Sequence, residues 1–422
     1  MGKTSNYPLV VVGAGAAGLG ASREATRLGV SHLVIEAAHR IGGRGLTEML
    51  DGQIPVDLGC HWMHCASINP FVPMAEELGV AFRKGDSEAR VYLDGHWQPQ
   101  SVAVRRRDAY HALVTEASNR HQAGLAGTLW DCLKPDAGDL EWLGYWASLM
   151  HSADLDQVEL SDIAEFHDTG EDWPVARGYG ALISRVGSDL PVRLNSPLKS
   201  VRWDCDPIVL QTPAGSIRTE KLLITVSTGV LNAGSIGFQP ALPQWKQDAA
   251  AQLPLGNCNY AFFPVAEGSF EGAPESIAYQ RGETCAALRI RPHGMNYVVA
   301  ALGGRFAWWM EKQGESATCH WFEEILRDIF GSEVSASLGR GKVSAWGYDP
   351  WIRGAYSARS PGAGDVRREL ARPVDERLWF AGEATSIDQF CTAHGAWISG
   401  QDAVIGMFGK TQPTPMGGGD SG

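Results

Sequence analysis

"YPLVVVGAGAAGLGASREATRLGVSHLVIEAAHRIGGR", residues 7–44, decides the fold. Leu9–Val12 is a short apolar run rich in β-branched residues, which reads as a buried strand. Gly13-Ala14-Gly15-Ala16-Ala17-Gly18 follows at once, and helical spacing runs from Ala16 to Leu28. Leu33–Ile35 is a second strand, so the chain opens as a strand–helix–strand unit. Each glycine has a task in such a unit. Gly13 allows the tight turn, Gly15 lets the backbone meet a pyrophosphate, and Gly18 lets helix and strand pack closely. The phosphates then lie at the positive end of the helix. Glu36 ends the second strand, where a carboxylate can accept both hydroxyls of a ribose. A glycine turn alone would say little, but strand, helix and acid in register predict a dinucleotide site.

The bulk composition is that of a globular enzyme-sized chain. Its 422 residues allow two domains, and 44% are hydrophobic and 20% charged. A formal net charge of −12 disfavours nucleic acid and anionic membrane surfaces as partners. The eight cysteines are scattered without a Cys-x-x-Cys pair, so neither a zinc site nor a redox pair is expected. Free thiols fit a reducing, cytoplasmic setting. No stretch reads as a signal peptide or a membrane-spanning helix. The end of the chain, 412–422, reads as a disordered tail.

Motifs stand at both ends of the chain, so one site is expected from distant segments. A mainly helical region precedes Phe166, and "GYGALISRVGSDL" is a further helix. "VRLNSPLKSVRWD", "IVLQTPAGSIRTEKLLITVS" and "NYAFFPV" read as strands. "GESATCHWFEEILRDIFG" is an amphipathic helix, "RLWFAGEATS" a strand and loop, and "HGAWISGQDAVIGMFG" a closing helix. Lys246, in the polar stretch "PQWKQDAAAQL", is expected to face solvent.

From residue 7 to about 408 the order of these blocks resembles the flavin-dependent amine oxidase family. The resemblance rests on the opening unit with "IGGR", on "DLGCHWMH" (57–64), and on "LNSPLKSV" and "LLITVSTGVL". It is completed by "WGYDPWIRGAYS" (346–357), "RLWFAGEATS" (377–386) and "TAHGAWISGQDA" (392–403). It implies an α/β fold: a Rossmann-like FAD-binding domain of discontinuous segments (1–83, 174–232 and 340–411) and a mixed-sheet substrate domain with helices (84–173 and 233–339). It implies FAD contacts at Gly13, Gly15, Ala16, Ala17, Gly18, Glu36, Ala37, Gly43, Arg44, Leu198 and Trp346. Gly382 and Glu383 would meet the pyrophosphate–ribitol region, and Ala396, Trp397 and Ile398 would set a helix N-terminus at the pyrimidine edge. His394 reads as a hydrogen-bonder at the helix start.

The resemblance also implies a reaction centre. Tyr356 and Trp397 fall where the family flanks the flavin with two aromatic rings. His61 falls where polyamine-type members place a polar residue near substrate, with a structural histidine an equal alternative. Ala355 stands where some members carry a flavin-bonded cysteine, so FAD is expected to be non-covalent. Tyr260 occupies the position of a lysine tied to reaction with oxygen, and no lysine lies between Lys246 and Lys312. The implied chemistry is hydride transfer from an amine to flavin N5, imine hydrolysis, and reoxidation by dioxygen to give hydrogen peroxide. A same-fold desaturase or dehydrogenase using another acceptor remains an alternative, as does a flavin-binding scaffold without turnover. No metal is implied.

Overall fold

The computed structural model describes residues 6–134 and 139–409; the tail at 412–422 lies outside them. Two sheets organise the chain. In the first, Asn6–Val12 lies between His32–Ile35 and the long strand Gly215–Ile224, parallel to both. Val192–Arg193 extends the sheet beyond His32–Ile35. The long strand has two further partners: the antiparallel Ile208–Thr212 along its first half and the parallel Leu378–Phe380 along its end. Leu9–Val12 is buried because helices cover one face and a second apolar cluster the other, which is why this strand reads as a continuous apolar run.

The helix Ala16–Arg27 crosses the closing helix Ala393–Phe408 at glycine contacts. A Cβ on Gly20 would stand 2.4 Å from the carbonyl oxygen of Trp397, and one on Gly400 would stand 2.0 Å from that of Ala17. Only glycine at these points lets the two backbones approach so closely.

The second sheet runs Lys342–Val343, Cys258–Pro264, Tyr297–Gly303, Thr284–Ile290, Ser276–Arg281, Ala89–Leu93, His96–Trp97. It is antiparallel except where Ser276–Arg281 pairs with Ala89–Leu93. One face packs on the helices Gly304–Gln313 and Glu315–Phe330 through Met310, Phe322 and Ile325. The other face looks towards the interior of the molecule, under the helix Leu140–His151.

Two strands pair across the expected segment boundaries. Gly237–Gln239 pairs with Ser200–Arg202 in the first sheet, although a boundary at 233 put it with the substrate segments. Lys342–Val343 pairs with Cys258–Pro264 in the second sheet, although a boundary at 340 put it with the cofactor segments. Lys246 is also corrected: it is 1% exposed, and its ammonium donates to the carbonyls of Glu369, Leu370 and Arg372 at the end of a short helix. Burial pushes it down to about 7. Among the described residues no helix is long and apolar enough to cross a membrane.

Candidate active site

A single cavity of about 980 Å³ runs from the glycine turn at the first sheet to the open face of the second. Its first half is a cradle built largely from backbone. Gly13 has φ +103°, and its N–H donates to Ile35 O. Gly15 starts the helix without a side-chain cap, so the first-turn N–H groups at Gly15, Ala16 and Ala17 are left for a ligand where these residues line the cavity. Gly43 (φ +57°) comes so close that an added Cβ would stand 3.1 Å from Gly15 Cα. Gly18 does not line the cavity. Its missing side chain makes room for the turn itself, since a Cβ there would lie 1.9 Å from Gly13 O.

Glu36 is held from two sides. Its carboxylate accepts the Ala14 N–H at 2.6 Å and the Ala38 N–H at 2.7 Å, and burial raises its pKa in spite of both bonds. Its remaining lone pairs, with Ala37 and Leu198 alongside, face the cavity. Arg44 crosses to the far end of the chain, where it donates to Ala355 O and to Glu383. Trp346 lines the same wall and donates to Leu58 O at 2.8 Å. An uncapped helix end, glycine turns that exclude side chains, a ribose-facing carboxylate and an arginine together fit an adenine dinucleotide.

Glu383 anchors a buried chain of charges. Ser357 donates its hydroxyl proton to Glu383 at 2.7 Å and accepts from Arg367 at 2.9 Å. Arg367 then donates to Asp162 at 2.8 Å, and Arg359 reaches Glu165 at 2.6 Å. Burial alone would raise Glu383 and Asp162, but the arginines outweigh it and hold both below the ordinary carboxylate range. Sequence reading missed this network, because its members lie far apart in the chain.

The second half of the cavity is a chamber with a neutral wall beside Tyr260; Arg83 and Arg289, paired with Glu275 and Asp86, and the carboxylates of Asp168 and Asp172 line the cavity elsewhere. Tyr260 and His61 stand 4.1 Å apart, ring centre to ring centre, with Cys258 and Tyr356 on the same wall. The Tyr356 hydroxyl donates to Leu149 O. Burial pushes Tyr260 and Tyr356 well above the ordinary phenol range. His61 shares a hydrogen at 2.7 Å with Gly59 O through Nδ1, and a carbonyl can only accept, so Nδ1 carries the proton and Nε2 is left as an acceptor. Burial lowers this ring to about 4, so it is neutral at pH 7. The helix Leu140–His151 contributes Trp142, Trp146, Leu149 and His151 to the opposite wall. Sequence reading missed these too, although the i, i+4, i+7 spacing of Trp142, Trp146 and Leu149 on one helical face was an available signal.

The predicted aromatic pair is not formed. Trp397 is 0% exposed and does not line the cavity; it packs in the core 5.2 Å from Phe71. Ile398 packs against the same core cluster. The close crossing at Gly20 and Gly400 sets the phase of the closing helix, which turns Thr392, Ala393 and Ala396 towards the cavity instead. Thr392 caps this helix by accepting the Gly395 N–H at 2.9 Å. His394 hydrogen-bonds Gln389 at the helix start. Gly382 and Ala355 line the cavity beside Glu383.

A dinucleotide cradle opening into a chamber with an aromatic wall fits a nucleotide-cofactor oxidoreductase. Comparison with known proteins narrows the class. Residues 102–405 match the family of flavin containing amine oxidoreductases, and residues 11–78 match an NAD(P)-binding Rossmann-like domain. The chain belongs to the flavin containing amine oxidoreductase family. A probable polyamine oxidase 4 of Arabidopsis thaliana is 27% identical over 444 residues, covering 94% of this chain and 86% of the relative. A lysine-specific histone demethylase 1B of Mus musculus is 25% identical, covering 94% of this chain and 52% of the relative. The solved structure of a putrescine oxidase variant redesigned for cofactor binding superposes with a TM-score of 0.80 at 18% identity, covering 97% of this chain and 100% of that one. The protein is an FAD-dependent amine oxidoreductase.

Proposed function

We propose that this chain oxidises a C–N bond of an aliphatic amine that enters the chamber uncharged. The observation carrying this reading is the neutral wall of Tyr260, Tyr356 and His61, which shares one cavity with the FAD cradle. His61 Nε2 accepts a hydrogen bond from the amine nitrogen and turns it, while the phenol rings confine its carbon chain and keep water out. When bound, FAD supplies the two-electron acceptor for the hydride on the carbon beside nitrogen. The resulting imine hydrolyses in water. FAD is held without a covalent bond, since Ala355 stands where some members of the family carry a flavin-bonded cysteine. The polyamine oxidases among the relatives support substrates with more than one nitrogen.

Dioxygen, reduced to hydrogen peroxide, is the proposed acceptor. A second acceptor is favoured by one observation: Tyr260 carries no positive charge, Lys246 is locked among carbonyls outside the cavity, and Arg289, which does line it, is paired with Asp86. A cation would stabilise the superoxide that forms first, so oxygen is expected to react slowly here. The eight free thiols support a reducing, cytoplasmic setting. The test is anaerobic mixing with mono-, di- and polyamines. Bleaching of the flavin absorbance supports amine oxidation, and no bleaching by any of them overturns it. Admitting oxygen then reads the second point, with faster recovery of colour expected in Tyr260→Lys than in wild type.

A further inference from the structure

Across the face of the second sheet a row of small residues leads to Tyr260. Ala278 is paired with Ala287, and Ala301 with Tyr260. All of them line the cavity. Between Thr284–Ile290 and Tyr297–Gly303 the ladder runs through Ile290↔Val298 and Arg289↔Val299 and stops at Leu288↔Ala300. The next step in that register would set Ala287 opposite Ala301. A side chain stands there instead. The Tyr145 hydroxyl accepts the Ala287 N–H at 2.6 Å and donates to Ala301 O at 2.8 Å. One phenol thus replaces a direct strand-to-strand bond and satisfies both backbone groups, which are costly to leave unpaired in a buried site.

Tyr145 belongs to the helix Leu140–His151, the same helix that sends Trp142, Trp146 and Leu149 to the cavity from the opposite side. Its ring lies 5.5 Å from that of Trp142. Tyr145 is absent from the cavity wall itself. It therefore acts on the chamber through its neighbours, by parting the floor strands and fixing the height of the helix above them. Burial holds its hydroxyl well above the ordinary phenol range, so at neutral pH the phenol keeps the proton it donates to Ala301 O.

We propose that Tyr145 is a specificity-determining wedge: by holding Ala287 and Ala301 apart and the Trp142–Leu149 roof above them, it sets the width of the substrate chamber and hence the length of amine that is accepted. Tyr145 is a positioning residue and takes no part in the chemistry. The proposal rests on the reading of the chamber as an amine site. Without the hydroxyl, the Ala287 N–H and the Ala301 carbonyl are free to pair directly, which narrows the floor next to Tyr260.

The experiment is anaerobic flavin reduction by n-alkylamines from propylamine to decylamine and by the matching α,ω-diamines, comparing wild type with Tyr145→Phe. The expected result is an optimum shifted to shorter chains, with the longest good substrate losing about tenfold or more relative to the shortest. An unchanged optimum, with or without a uniform loss of rate, overturns the proposal. Ala301→Val narrows the same row without touching the phenol and is expected to shift the optimum the same way; it keeps the test alive if Tyr145→Phe does not fold. If no amine bleaches wild type, the amine reading itself falls. The wedge is then read from a crystal structure of Tyr145→Phe. Direct contact between Ala287 N and Ala301 O supports it, and an unchanged gap overturns it.

Discussion

The cradle and the chamber share one cavity but are built from different materials. The cradle grips through main chain and through charges buried in pairs: glycine turns at Gly13, Gly15 and Gly43, two N–H bonds to Glu36, and the Arg44–Glu383 bridge. Beside Tyr260 the chamber is lined by neutral, mostly aromatic side chains from a helix and a sheet face. Main-chain geometry is fixed by the fold and has little freedom to vary, whereas side chains on a helix face can be exchanged one at a time. The cofactor is thereby held constant while the chamber is open to retuning for a different substrate.

The difference is broken most sharply at glycine. Gly18→Ala drives a Cβ into Gly13 O, and backbone has nowhere to go. Loss of about 3 kcal/mol or more is expected, with protein that is colourless and melts early. In the chamber roof, an added Cβ at Gly144 would sit 3.8 Å from Leu155 Cδ1, an ordinary contact. Gly144→Ala is expected to keep its FAD and gain up to about 1 kcal/mol from the helix backbone. Thermal melting with absorbance at the flavin band reads both variants.

Buried charge is the next most sensitive feature. Arg367→Met leaves Asp162 with one of its two arginines and strips Ser357 of a donor beside Glu383. Breaking a pair this deep costs about 3–5 kcal/mol. Urea unfolding is expected to show that loss together with weaker FAD retention, because the network ends at the cradle. If stability falls while FAD affinity is untouched, the network is a brace for the helical segment alone.

A smaller effect separates the two regions by pH. Burial lowers His394 at the cradle end to about 3 and His151 in the chamber to about 4, from an ordinary 6.5. The unfolded chain therefore binds protons first as the pH falls. The stability these neutral rings provide is complete well above pH 6.5 and is lost progressively as the pH falls, down to about 4 for His151 and about 3 for His394. The slope contributed by each ring is at most about 1.4 kcal/mol per pH unit. Melting temperatures from pH 7 to 4 should fall less steeply in His151→Gln than in wild type.

What can be read in the sequence follows the same division. The opening strand, turn and helix depend on local spacing, so Gly13, Gly15 and Glu36 are legible from the order of residues alone. The order of the later blocks carries the family and the closing helix. The phase of that helix does not follow, because it is decided by contacts of Gly20 and Gly400 that no local pattern records. Sequence pattern therefore points Trp397 to the cavity when it belongs to the core. Lys246 misleads for a related reason: a polar stretch hides a lysine whose charge is met by carbonyls more than a hundred residues away. Tyr145 and the Asp162 network depend on pairings between distant segments and have no sequence signature at all.

The wall of Tyr260, Tyr356 and His61 is neutral, and in the proposed reaction the amine arrives there as the free base. His61 titrates at about 4, and the phenols beside it lie above their ordinary range. No group on this wall, then, removes a proton from an ammonium at neutral pH. The direct measurement is the rate of anaerobic flavin reduction against pH at low substrate, repeated with two amines whose own pKa values differ by about two units. The predicted inflection moves with the amine, by that same interval. An inflection that stays at one pH for both amines would mean that a group of the protein takes the proton, and would contradict uptake of the free base.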